Sequence, residues 1–233
     1  MKRSLLIALP VLALCLHAHG HSEKTAAPTM SVQDMLGAVG WSFDDPVASE
    51  ELADGFYVLF GVGGNILVSS GDDGVLIVDD QFPEMWGKLG KAMRKQGDRS
   101  IDFVINTHWH FDHADGNHAL GKRDNTWIVA QANSRKMMLE DQVVGLVSAS
   151  VPQPAAPAHA LPDITFDDTM QFHINGERID LIHAGPAHTT GDTAVIFRGQ
   201  NGKARTRKPR PASLRAGYSV SIRCLFGELS GVF

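Results

Sequence analysis

The stretch THWHFDHADGN, Thr107 to Asn117, sits directly behind the apolar run IDFVI and constrains this chain more than any other feature. It puts three imidazoles and two carboxylates on one turn at the end of a strand. His108 and His110 are two residues apart, so both can face one point when the loop is extended, while Asp112 and His113 can aim at a second point a few ångströms away. Four potential ligands between residues 108 and 113 point to a divalent cation. Imidazole nitrogen and carboxylate oxygen without thiolate favour zinc over iron or manganese. A catalytic zinc usually keeps three protein ligands and an open position, so a third nitrogen must come from elsewhere. HAGPAHTTGD supplies it: His183 ends an apolar strand and is read as a packing residue, whereas His188 follows the Gly185 and Pro186 turn and is free to point back. His118, at the start of a short helix, is read as supporting the ligands from behind rather than binding, and His173, on a hairpin strand, and His159, in a proline-rich loop, as structural.

Short β-rich runs separated by Gly and Asp turns surround this loop. Phe56 to Phe60, Asn65 to Ser70 and Val75 to Val78 read as an antiparallel meander. Glu84 to Gln96 has apolar residues at helical spacing and Gly97 as a stop. Ile101 to Ile105 and Trp127 to Ala130 read as strands, Asn133 to Gln142 as a helix, and Val147 to Pro162 as a Pro and Ala loop. Asn175-Gly176 between two alternating runs signals a hairpin, and DTAVIF a last strand. Strands leading into helices at both ends of this order indicate an α/β protein with helices layered over sheet.

THWHFDHADGN followed by GPAHTTGD, with GVLIVDD ahead of both, resembles the metallo-β-lactamase superfamily over roughly residues 52–197. The resemblance implies a four-layer αββα sandwich with one or two zinc ions between its sheets. His108, His110 and His188 would form the first site, and Asp112 with His113 would contribute to the second. Asp79 matches an aspartate that orients the metal loop, and Asp192 a supporting position. The family pattern also calls for a bridging aspartate and a late histidine. After Asp192 this chain has neither, so the second site and the fold's carboxyl-terminal part are expected to be incomplete.

Charge marks the same boundary. The net charge is −5, yet Glu228 is the only acidic residue after Asp192, whereas Arg198, Lys203, Arg205, Arg207, Lys208, Arg210, Arg215 and Arg223 are all basic. We expect residues 199–233 to be an atypical basic tail produced by a shifted reading frame or truncation near residue 199. At the other end, Lys2 and Arg3, an uncharged stretch and small residues at Ala18 and Gly20 have the layout of a secretory signal over residues 1–20. Residues 21–50 then form an extension and 51–198 the metallo-β-lactamase-like domain. Leu14 is bulky where a lipid-anchored Cys15 would want a small residue, and removal of the signal leaves Cys224 alone, without a disulfide partner. No later stretch approaches about 18 uncharged apolar residues, so no membrane span is expected.

Zinc held by three neutral imidazoles brings the pKa of a bound water from about 15.7 toward 7 and polarises a carbonyl. With Asp112 as the orienting carboxylate, the expected activity is hydrolysis of an ester, lactone, thioester or β-lactam amide in a small-molecule substrate, outside the cytoplasm. A true β-lactamase is the closest alternative, and an impaired or non-enzymatic periplasmic zinc-binding protein another. No Gly-x-Ser-x-Gly elbow is present and Cys224 has no local histidine, which argues against a serine or cysteine nucleophile. The acidic body lacks the basic groove that nucleic acid requires. Trp109, between two ligand histidines, is read as packing.

Overall fold

The computed structural model describes residues 28–97, 100–122, 125–146 and 149–199. The expected signal segment and basic tail lie outside these residues. The elements run α1 (Val32–Ala38), β1 (Ala48–Ala53), β2 (Phe56–Phe60), β3 (Ile66–Gly71), β4 (Gly74–Val78), α2 (Trp86–Lys95), β5 (Phe103–Ile105), α3 (Phe111–Ala114), α4 (Asn117–Leu120) and β6 (Trp127–Gln131). They continue with α5 (Ala132–Met138), β7 (Gln142–Gly145), β8 (Ser150–Gln153), β9 (Ile164–Phe166), β10 (Thr169–Ile174), β11 (Glu177–Ile182) and β12 (Ala194–Phe197).

One sheet has seven strands in the order β1-β2-β3-β4-β5-β6-β9, a second has β10-β11-β12, and β7 pairs only with β8. From β1 to β4 the large sheet is antiparallel, and from β4 through β5 and β6 to β9 it is parallel. The two-residue period of strands sorts its side chains between two cores. Tyr57, Leu59, Ile66, Val68, Ile77, Val104 and Ile128 join the cluster that holds the buried apolar residues of all five α-helices. Their neighbours Phe56, Leu67, Leu76, Val78, Ile105 and Val129 meet Ile179, Leu181, Val195 and Phe197 of the second sheet. The described residues therefore supply helix, sheet and sheet, three layers of the expected αββα sandwich. No helix among them covers the outer face of β10 to β12.

Asn175 and Gly176 turn the β10–β11 hairpin with positive φ of 54° and 71°, the pair of left-handed positions that a type I′ turn demands. Asn175 also accepts from Asp73 N and donates to the Gly74 carbonyl, tying the hairpin tip to the β3–β4 turn of the other sheet. Two expectations need correction. The helix expected over Asn133 to Gln142 ends at Met138 and Gln142 begins β7, while the Pro and Ala loop contains β8. Short strands such as Ser150–Gln153 exist because a partner strand satisfies their backbone, and no local alternation announces them.

Phe197 is fully buried, and its ring meets Phe56 of the other sheet edge-on at 4.9 Å. Phe197→Ala empties that inter-sheet position and should cost about 3–5 kcal/mol. A lowered urea midpoint with an unchanged slope is expected. A shift below about 1 kcal/mol would show that this aromatic contact does not hold the sheets together.

Candidate metal centre

β4 and β5 run parallel, so their carboxyl ends lie on one edge of the large sheet, and the chain leaves both into the site. Asp79 follows β4 with a left-handed φ of 62°. Its carboxylate accepts from Thr107 N at 2.7 Å and Thr107 Oγ1 at 2.9 Å and lies 2.7 Å from His113 Nδ1. One buried carboxylate thereby ties both ends of the histidine-rich turn. The second sheet joins through the Thr193 N–H, which donates to the Thr107 carbonyl at 2.8 Å.

Ligand atoms of His108, His110 and His188 lie within 4.8 Å of one another, and they form the only such group of three or more histidine, cysteine or acidic residues among the described residues. His110 Nδ1 and His188 Nε2 are 3.0 Å apart. Metal–nitrogen bonds of about 2.0–2.1 Å place neighbouring ligands of a tetrahedral ion roughly 3.4 Å apart, so the His110–His188 pair lies near ligand spacing and the three rings are close enough together to share one ion. His108 is buried, His110 half-buried and His188 exposed, so the centre opens to solvent on the His188 side. Asp192 shapes the loop that presents His188, accepting from the N–H groups of Ala187 and Thr189 and from the Thr189 hydroxyl.

His113 and Asp112 sit beside the triad. Asp112 Oδ2 and His113 Nε2 form an ion pair at 3.3 Å, almost fully buried, and neither has another hydrogen-bond partner among the described residues. A pair at that spacing could share a cation once His113 gives up its proton, and the Asp79 contact at Nδ1 leaves Nε2 as the nitrogen that faces it. Among the described residues, Asp112 and His113 are the two side chains paired at this second position. Gly64 makes the close approach possible: a Cβ there would stand 2.6 Å from the His113 ring, and its N–H donates to the Asp112 carbonyl. The GVGG run is legible in the sequence only as a turn.

Electrostatics prepare the triad for a cation. Burial, then the other histidines, pushes His108 well below the usual imidazole range, and burial with His188 brings His110 down to about 4. Both rings are neutral at physiological pH, the form a metal needs. Burial alone would raise Asp112, but His113 overrides it and holds the carboxyl below its ordinary range. Burial likewise opposes a charged His113, and Asp112 with Asp79 outweighs it, holding that ring well above its ordinary range. Behind the loop, burial with Glu84 and Asp112 pushes Asp115 up to about 7.

A pH dependence follows. Because the lowered pKa values keep His108 and His110 unprotonated below 6.5, protons compete for these two ligands only as the pH approaches about 4 at His110. Zinc affinity of the triad, measured by chelator competition, should therefore fall by no more than about tenfold per pH unit between about pH 7 and 5.5, the most that one competing proton at the third ligand can impose. A decline of about a hundredfold or more per pH unit in that range would mean that His108 and His110 titrate there as well.

The other histidines stand apart. His118 is half-buried on α4 with its ring 6.4 Å from that of His159, His173 is exposed on β10, and His183 Nδ1 bonds the Asp192 carbonyl. Trp109 is buried in the helix-side core.

A helix-backed pair of sheets with a three-histidine centre at one edge defines a metal-site α/β sandwich. The metallo-β-lactamase superfamily model matches residues 57–201, more than half of the sequence, and the chain belongs to that superfamily. Among solved structures it is similar to MEM-A1, a subclass B3 metallo-β-lactamase isolated from a soil metagenome library, with 18% identity and a TM-score of 0.56 over 67% of this chain and 60% of that one. It is similar to a Cronobacter sakazakii metallo-β-lactamase with 20% identity and a TM-score of 0.55, over 65% and 60%. BJP-1, a subclass B3 metallo-β-lactamase of Bradyrhizobium japonicum, gives 20% and 0.52, over 66% and 58%. These likenesses are of fold. The chain spans about 60% of the length of these proteins. Among the described residues no helix is long and apolar enough to cross a membrane.

Proposed function

We propose that this chain is a zinc-dependent hydrolase, exported to the periplasm or beyond, that cleaves an acyl bond of a small molecule: an ester, lactone, thioester or β-lactam amide. The observation that carries the reading is the convergence of His108, His110 and His188 from two different sheets onto one point open to solvent. Zinc held there supplies acidified water and polarisation of the carbonyl. Asp112 is close enough to His110 for its charge to bear on that ring. A carboxylate held below its usual range is a weak base, so we assign Asp112 to orienting the attacking water rather than storing its proton. His113, between Asp112 and Asp79, would hold a second ion with Asp112. Two donors make that position the weaker one. The signal-like opening supports export.

Hydrolysis of a β-lactam amide is the second reading, favoured because the solved structures of similar fold are named as β-lactamases. Turnover of a chromogenic β-lactam and of a lactone, with and without chelator, separates the possibilities. We expect acyl-bond turnover that chelation abolishes and added zinc restores, and the preferred substrate decides between the two readings. Turnover indifferent to chelator contradicts both. Zinc binding with no turnover of any acyl substrate would instead make the chain a metal-binding protein.

A further inference from the structure

Gln153 is the last residue of β8, in the two-stranded β7–β8 unit, and only 8% exposed. Its amide grips the metal loop on both sides of one histidine. Gln153 Oε1 accepts from the Phe111 N–H at 3.2 Å, and Nε2 donates to the Trp109 carbonyl at 2.9 Å. The same Nε2 is 3.3 Å from Asp115 Oδ1, which fixes which end of the amide is the donor. Trp109 and Phe111 are the two chain neighbours of His110.

His110 depends on this grip. A metal-binding histidine is ordinarily oriented by a hydrogen bond from its second ring nitrogen to a carboxylate or carbonyl. Among the described residues the His110 ring has no such tie, and its one ring hydrogen-bond partner is His188. The orientation of the ring is therefore set by its backbone and by packing against the rings of Trp109, His108 and His188, at 4.4, 4.8 and 4.7 Å. Gln153 fixes the backbone on both sides of it.

We propose that Gln153 is a positioning residue for His110, doing through the backbone what a carboxylate behind an imidazole does through the ring. This rests on the proposed three-histidine centre. Loss of the amide lets residues 109–111 relax and loosens one of the three ligands, and β8, nearly silent in the sequence, becomes part of the metal centre's support.

Gln153→Met keeps length and volume and removes both hydrogen bonds. Gln153→Glu keeps the acceptor for Phe111 N and loses the donor for the Trp109 carbonyl. Zinc affinity by competition with a chromogenic chelator, the visible spectrum of the cobalt-loaded protein, and the melting temperature of the metal-free protein are measured for each. The Met variant should bind zinc about 10–100-fold more weakly, the scale for partners that orient metal ligands. Its cobalt bands should shift, and the Glu variant should also bind zinc more weakly than the unaltered protein, because it loses the Trp109 bond and sets a carboxylate against Asp115. A purely structural role would lower the melting temperature alone, so unchanged affinity and cobalt spectrum in both variants overturn the proposal while the metal centre stands. If the Met variant does not fold, the Glu variant decides by the same two readouts. An unaltered protein that binds no zinc overturns the metal centre and this proposal together.

Discussion

His188→Ala removes most of the bound zinc and leaves the fold in place. His188 is the most exposed of the three triad residues, and Asp192 holds the loop around it through backbone groups of Ala187 and Thr189 that the substitution retains. Stability should therefore change by no more than about 0.5 kcal/mol, as at an ordinary surface position. Metal binding loses one of three nitrogens. The expected fall in affinity exceeds about 100-fold, the upper end for residues that only orient a ligand. Elemental analysis after gel filtration checks it. A variant that keeps full zinc would assign the third ligand elsewhere, and one that loses its fold would show that the loop, not the ligand, matters.

Asp79→Asn has the second large effect, felt in stability and metal affinity together. Asparagine tolerates a left-handed φ nearly as well as aspartate, so the substitution isolates the loss of charge from the strain at 62°. The carboxylate meets three groups within 3 Å, Thr107 N, Thr107 Oγ1 and His113 Nδ1, in a site closed to water. Breaking a buried ion pair by removing one partner costs about 3–5 kcal/mol, and freeing the turn should weaken zinc binding by about 10–100-fold. The cost should depend on pH. The folded-state pKa of His113 is raised, so its contribution is complete below the unfolded value of about 6.5 and is lost as the pH rises through the folded value. The gap in denaturation midpoint between the metal-free protein and the variant should therefore be widest at pH 6 and narrow in alkali. An equal gap across that range would mean that His113 is not charged beside Asp79.

How much of this was legible beforehand depends on how locally each feature is determined. The β10–β11 hairpin was readable because Asn175 and Gly176 carry its backbone geometry in their own chemistry. The meander from Phe56 to Val78 was readable because each strand alternates between two apolar cores. The metal loop announced itself by ligand density, and His188 by the turn that frees it. β8 stayed hidden since Ser150–Gln153 gains its strand character from pairing with β7, and Gln153 carries no local sign that its amide spans His110. The approach of Gly64 to His113 belongs to the same class: a paired glycine says that something comes close, and only the fold says what. The boundary between α5 and β7 fails for a related reason, because the helix expected through Gln142 stops at Met138 and Gln142 is instead claimed by pairing with Gln153 of β8.

Zinc-edge X-ray absorption of the protein loaded with one equivalent of zinc tests the central claim most directly. A centre built by His108, His110 and His188 requires three imidazole nitrogens at about 2.0–2.1 Å and one further light donor. A shell dominated by carboxylate oxygen, or one with fewer than three imidazoles, would contradict the three-histidine centre and the hydrolase reading built on it.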